Sequence, residues 1–374
     1  MQHPWLGSCA VLRPFRLARR VGPAPAATSA AAPGPRLLPR LTALRGFAAF
    51  VVFLFHLHSH DVVSLPWGIS TIGGVGVAFF FVLSGFVLAW GTRPDLPTHT
   101  FYRRRFARVY PSDAFTLLIA MVVPVVPGDR SIAAAIANAL TVQAWSFRDE
   151  IAYGMNGVSW SLSCEAFFYA VFPVAALVVR RLPRSLSWSL ATVGLALATA
   201  AYLVRPGVAD HFPLVRISEF LLGLVAGIAV SEGWRPRVPA VVVWGVLVVG
   251  LAAALGVTLR WGAPVTNVLV AGPFLLLILH MARLDIEGSP GWLRRRALVF
   301  AGEASFAFYL VHELVIVNLL PVLPDRAWVQ ATVMTAVASV AAVLLHLLVE
   351  RPFNRRLRDR APSLALATPA DPVR

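Results

Sequence analysis

Apolar residues gather in ten long blocks and polar residues gather between them. The blocks cover 42–60, 72–91, 113–127, 158–180, 186–204, 214–232, 238–259, 265–283, 297–320 and 327–349. Most have the ~17–25 residues that a helix needs to cross a hydrocarbon layer. A backbone in lipid must satisfy its own hydrogen bonds, so each block predicts a helix. The pattern therefore predicts an all-α polytopic membrane protein, a bundle of about ten transmembrane helices. Block 113–127 is the shortest.

Composition supports this. The chain is 58% hydrophobic and 14% charged, whereas a soluble domain is about a quarter charged. The net charge of +15 would by itself suggest nucleic acid, but its distribution suggests a membrane. All 33 basic residues are Arg. Groups such as RRRFAR, RRLPR and LRRR occupy one set of alternate loops, while Arg130, Arg148, Arg205, Arg216, Arg260 and Arg326 occupy the other. This positive-inside pattern predicts both termini in the cytoplasm of a multi-pass cell-membrane protein. The expected surround is the lipid bilayer, with no nucleic-acid partner. Arg without Lys points to a GC-rich, bacterial genome. Cys9 and Cys164 set no disulfide framework.

The domain reading has three parts. Residues 1–40, rich in Pro, Ala and Arg, predict a disordered basic tail. Residues 41–353 form the transmembrane domain, and Pro352 is expected to help end its last helix. Residues 354–374 predict a basic cytoplasmic tail.

Ionisable residues inside the blocks carry the candidate chemistry, because each is costly in lipid and needs a partner or a task. Arg45 and His56 share one helix face, eleven residues and about 16 Å apart. Glu165, in WSLSCE, starts the fourth block one to two turns below the outer surface. It is expected at the depth of His56, where a carboxylate orients an imidazole for general-base work; a tie between two helices is the other reading. Of His56, His58, His60 and Asp61, only His56 and His60 share a face, so no metal site is expected. Gly73, Gly74 and Gly76 predict close helix approach. Ser84 lies deep in the second block with no base assigned to it and is expected to support packing or substrate. Arg105 and Arg108, at i and i+3, present paired guanidinium groups suited to phosphate, or simply anchor the helix. Arg216 and Glu219 predict an intrahelical ion pair, and His312 must face the bundle interior. P-loop, GxSxG, HExxH and Rossmann signatures are missing from suitable contexts, which argues against ATP-driven transport, zinc proteolysis and hydride transfer.

Together, LTALRGFAAFVVFLFH, GVGVAFFFVLSGFVL, YRRRFARVYP, NGVSWSLSCEAFFYAVFP, RISEFLLG, FAGEASFAFYLVH and ERPF resemble the acyltransferase 3 family, in order and spacing, from about residue 40 to 355. The resemblance implies transfer of an acyl group, often acetyl, from acyl-CoA to a hydroxyl on a carbohydrate or specialised metabolite. It implies acyl-CoA as co-substrate and no bound cofactor. The family's arginine–ten residues–histidine motif falls on Arg45 and His56. Its paired-arginine motif falls on Arg105 and Arg108. Its tryptophan–serine–leucine–serine–x–glutamate motif falls on Trp160, Ser161, Ser163 and Glu165. Cys164 stands where the family more often has an aliphatic residue. The expected mechanism places donor phosphates at Arg105 and Arg108, with Arg45 beside them. His56 is the base and Glu165 its partner. A transporter or flippase using the same intramembrane residues is the competing reading.

Overall fold

The computed structural model describes residues 37–63, 73–92, 96–123, 131–261 and 266–358. Most of both expected tails lies outside them. Within them the chain forms α1 (Pro39–Ser59), α2 (Gly76–Gly91), α3 (Thr98–Val122), α4 (Ile132–Ala139), α5 (Asp149–Ala152), α6 (Trp160–Arg181), α7 (Arg184–Val204), α8 (Pro206–His211), α9 (Pro213–Ser231), α10 (Ala240–Trp261), α11 (Thr266–Ile286), α12 (Arg296–Glu303), α13 (Ser305–Leu319), α14 (Ala327–Leu345) and α15 (Arg351–Arg358). There is no strand among the described residues.

Each of the ten apolar blocks falls on a helix. Eight helices are long and apolar enough to cross a membrane on their own. α12 plus α13 pass the same test only as a pair, bent by 61° at Ala304, the shape of a broken span or a re-entrant loop. Residues 124–127 of the third block lie outside the described residues; its described part is the second half of α3, whose first half carries the arginines. That mixture keeps α3 out of the set that passes on length and apolarity among the described residues.

Packing separates inner helices from outer ones. α2 and α9 each bury 72% of their apolar window, α7 and α10 only 22%. Leu197, Leu203, Val248 and Val249 are exposed, as a lipid-facing surface requires. Glycines set the closest approach. A Cβ on Gly85 would strike the Phe220 carbonyl, and one on Gly223 the Val82 carbonyl, so α2 and α9 pack backbone to backbone. Gly73 and Gly76 meet Phe55 and Val52 of α1 in the same way, as the sequence suggests. Gly302 does so against the Thr42 carbonyl and seats α12 on α1.

Two boundaries differ from the sequence reading. The fold already includes Arg40, assigned above to the tail. Its guanidinium is buried, 2.8 Å from Asp285, and donates to the carbonyls of Ser289 and Pro290. Arg40→Ala should lower stability by about 3–5 kcal/mol, because it leaves the Asp285 carboxylate buried without its cation, with only the backbone N–H of residue 40 still donating to it; a melting temperature in detergent unchanged from the parent would contradict this. Pro352 does not end the last helix. A π-helical turn at His346–Glu350 loosens the backbone just before it, and Pro352 then sits in the first turn of α15, where its missing N–H costs little.

Candidate active site

The polar side chains collect in cavities at two levels along α1. The distal level is near the end of α1 and the proximal level near its beginning.

The distal cavity, about 310 Å³, is lined by His56 of α1, Tyr153, Gly157 and Trp160 from the loop and start of α6, Asp210, Arg216, Asn267 and Tyr309. His56 is placed three residues before the end of α1, and its ring meets that of His312 from α13. A carbonyl oxygen only accepts hydrogen bonds, so Nδ1 of both rings carries the proton. His56 Nδ1–H donates to the Val52 carbonyl at 2.9 Å, and His312 Nδ1–H to the Phe308 carbonyl at 3.2 Å. His312 Nε2, 3.2 Å from His56 Nδ1, accepts from that same N–H. His56 therefore keeps an unprotonated Nε2 on a ring that lines the cavity, the tautomer a general base needs. Phe308 stacks on His312 and Phe53 meets it edge-on, so the ring pair is held by apolar packing.

Arg216 braces the opposite wall. It is buried, 3.2 Å from Glu219, and donates to the Tyr202 hydroxyl at 2.6 Å. Its guanidinium lies over the rings of Phe81 and Trp160. The predicted Arg216–Glu219 pair is present and sits in a wider network: Asn267 donates to both Tyr202 and Asp210. Ser161 and the Tyr309 hydroxyl lie 2.9 Å apart, and Tyr309 also donates to the Val158 carbonyl. Ser163 is buried beside them with no hydrogen-bond partner for its hydroxyl. Cys164 Sγ donates to the His211 carbonyl at 3.2 Å, which accounts for a thiol at that position.

Two cavities occupy the proximal level. The larger, about 500 Å³, is lined by Arg45, Arg108, Glu303, His346, Glu350, Arg351 and Arg355. The smaller, about 90 Å³, is lined by Arg45, Ser84, Arg105, Arg108, Glu165 and Tyr169. Arg45 and Arg108 belong to both. Arg108 lies 3.7 Å from Glu350, and Arg105 rests against the rings of Phe101 and Tyr169. Three arginines from α1 and α3 thus converge with the carboxylates of Glu165, Glu303 and Glu350, joined by Arg351 and Arg355 of α15.

Glu165 departs from its expected place. It accepts from the Tyr169 hydroxyl at 2.9 Å and shares the small proximal cavity with Arg45. His56 belongs to the distal one. The sequence reading starts α6 at the membrane surface. In the fold the preceding loop dips into the bundle, so that Trp160, the first residue of α6, is already level with His56. Five residues further on, Glu165 is about 7.5 Å deeper. The carboxylate near His56 is Glu313. One of its oxygens and one nitrogen each of His56 and His312 lie within 4.8 Å of one another. Such a triangle can hold a cation or balance a protonated imidazole. The hydrogen bonding favours the second, because His312 Nε2 is already accepting from His56. Glu313, Asp210, Asn267, Arg351 and Arg355 were missed as site residues. The only signal for them was polar groups at the ends of apolar blocks, where anchoring residues also stand.

Residues 38–348 match a family described as an acyltransferase domain. The chain is 38% identical over 379 residues to the acyltransferase MdmB of Streptomyces mycarofaciens, covering 90% of this chain and 96% of that protein. It is 29% identical to the exopolysaccharide production protein ExoZ of Rhizobium meliloti, covering 79% of this chain and 94% of that one. It is 26% identical to the O-acetyltransferase OatA of Staphylococcus aureus over 43% of this chain and 28% of that one. No solved structure matches.

Proposed function

The chain belongs to the acyltransferase 3 family, and from that membership we propose that this O-acyltransferase moves an acyl group from cytoplasmic acyl-CoA to a hydroxyl of a sugar or sugar-bearing metabolite, with His56 as base. The arrangement of α1 carries the reading. One helix puts Arg45 into the wall of both arginine cavities and His56 into the wall of the distal one. The rings of Phe80 and Tyr309, which line the small proximal and the distal cavity respectively, are in contact, with centroids 6.2 Å apart.

In this reading the proximal face is cytoplasmic, as the arginine distribution supports. The phosphates of CoA meet Arg45, Arg105 and Arg108, with Arg351 and Arg355 at the mouth. For the thin pantetheine arm to bring the thioester to the distal cavity, the touching rings of Phe80 and Tyr309 must part. His56 Nε2 takes the acceptor's hydroxyl proton as the oxygen attacks the thioester carbonyl. The C–O bond forms, the C–S bond breaks, and the imidazolium returns its proton to the leaving thiolate, so the products are the ester and free CoA. Glu165, held beside Arg45, balances charge on the donor side. The names of ExoZ and OatA support a sugar hydroxyl as acceptor.

The test uses protein in lipid nanodiscs with acetyl-CoA and a panel of methyl glycosides. We expect thiol release that depends on the glycoside and equals the acetylated glycoside found by mass spectrometry. Thiol release without an acylated product, or no use of acetyl-CoA or longer acyl-CoAs with any glycoside, would refute the reading.

A further inference from the structure

Glu313 has no task in the reading above, yet it lies between the catalytic ring pair and the distal surface. It is the C-terminal neighbour of His312 on α13. One carboxylate oxygen accepts from His60 Nε2 at 2.9 Å. The other is buried with no hydrogen-bond partner. His60 is the residue that caps α1, four positions after His56, and its side chain is 26% exposed against 14% for Glu313. A carboxylate that binds a surface histidine with one oxygen, leaves the other without a hydrogen-bond partner and lies within 4.8 Å of two imidazole nitrogens is placed to act on those imidazoles. We propose that Glu313 is the positioning residue for His56, stabilising the imidazolium formed when His56 takes the acceptor proton, and that His60 limits this effect by competing for the same carboxylate. The proposal rests on the assignment of His56 as base.

Among the described residues, the titratable groups that face Glu313 are His56 of α1, His60 of its cap and His312 of α13 itself; Asp61 acts on His60. The loop before α6 contributes the backbone of Gly157, which lies against the Glu313 side chain. His60 is held above its ordinary value of 6.5 by its hydrogen bond to Glu313, as expected when a carboxylate favours the charged form of a neighbouring imidazole. The same carboxylate lies within reach of His56, where a fixed negative charge favours the protonated ring.

The sign of each effect follows. Glu313→Gln removes the negative charge beside the ring pair, so the acid limb of the pH–rate profile should move to lower pH. His60→Ala frees the carboxylate from its competitor, so that limb should move to higher pH. Glu313→Asp should restore part of the wild-type value. Histidine-labelled protein in nanodiscs gives the His56 midpoint directly by NMR, whether or not an acceptor is known. In the glycoside assay Glu313→Gln should lower kcat about tenfold with an unchanged KM for acetyl-CoA, and the acid limb should move with the midpoint. Opposite displacements in the two variants support the proposal. Midpoints that stay put, or move the same way in both, overturn it. So does activity that is lost to a chelator and restored by zinc, which would make the triangle a metal site. Correct midpoint shifts in a protein that uses no acyl-CoA would refute the acyl-transfer reading and leave only the electrostatic coupling of Glu313 to His56.

Discussion

His56→Ala should leave a protein that inserts, purifies and melts like its parent but transfers acyl groups about 10²–10⁴-fold more slowly. The magnitude follows from the chemistry. A sugar hydroxyl is a weak nucleophile until its proton leaves, and no other side chain in the distal cavity offers an unprotonated nitrogen: the one free nitrogen of His312 accepts from His56. The structural cost should be small. The His56 ring is half-buried, and its loss frees the Val52 carbonyl, which belongs to the helix ladder, and takes from His312 Nε2 the N–H it accepts. The rate is read as acetylated glycoside per nanodisc-embedded protein, with size-exclusion and melting profiles as controls. Turnover within a few-fold of the parent would remove His56 from the mechanism.

Arg105→Ala combined with Arg108→Ala should raise the KM for acetyl-CoA on the order of 10²-fold and leave the KM for the glycoside unchanged. Each charge-assisted hydrogen bond to phosphate is worth about 1.5–3 kcal/mol, or roughly tenfold or more in affinity. The two side chains sit with Arg45 around shared cavities. The pair should lose less than the sum of two full contacts, because Arg45, Arg351 and Arg355 remain. Arg108 also faces Glu350 at 3.7 Å, so the single Arg108→Ala variant should be the more damaging: it removes that guanidinium and leaves the buried carboxylate with His346, 2.9 Å away, as its side-chain partner. Initial rates at varied acetyl-CoA and at varied glycoside separate the two KM values. A change confined to the glycoside would move the donor site away from these arginines.

Much of this site was legible in the sequence. Arg45 and His56 are eleven residues apart, and helical rise alone places one at each level of the bundle. Arg105 and Arg108 share a face at i, i+3, and both line the smaller proximal cavity. Arg216 and Glu219 pair as their spacing implies. His312, recognised only as a residue that must face inward, proves to be the ring against which His56 rests.

Glu165 shows where such reasoning stops. Its depth was counted from a helix assumed to start at the membrane surface, but the loop before α6 descends to the level of His56. Glu313 shows the converse. In the sequence it is one more polar residue beside His312, and only the bend at Ala304 and the packing of α13 against α1 bring its carboxylate within 4.8 Å of ring nitrogens of His56 and His312.

By itself the sequence determined that the chain is a helical membrane bundle and which residues lie along one face of one helix. Both follow from local physics: apolar length against bilayer thickness, and a fixed rise per residue. The tertiary structure decided which polar groups meet. Partnership between helices depends on glycine-permitted approach, on the 61° bend and on a loop that enters the bundle. These are set by packing among segments far apart in the chain, which no spacing within a single segment encodes.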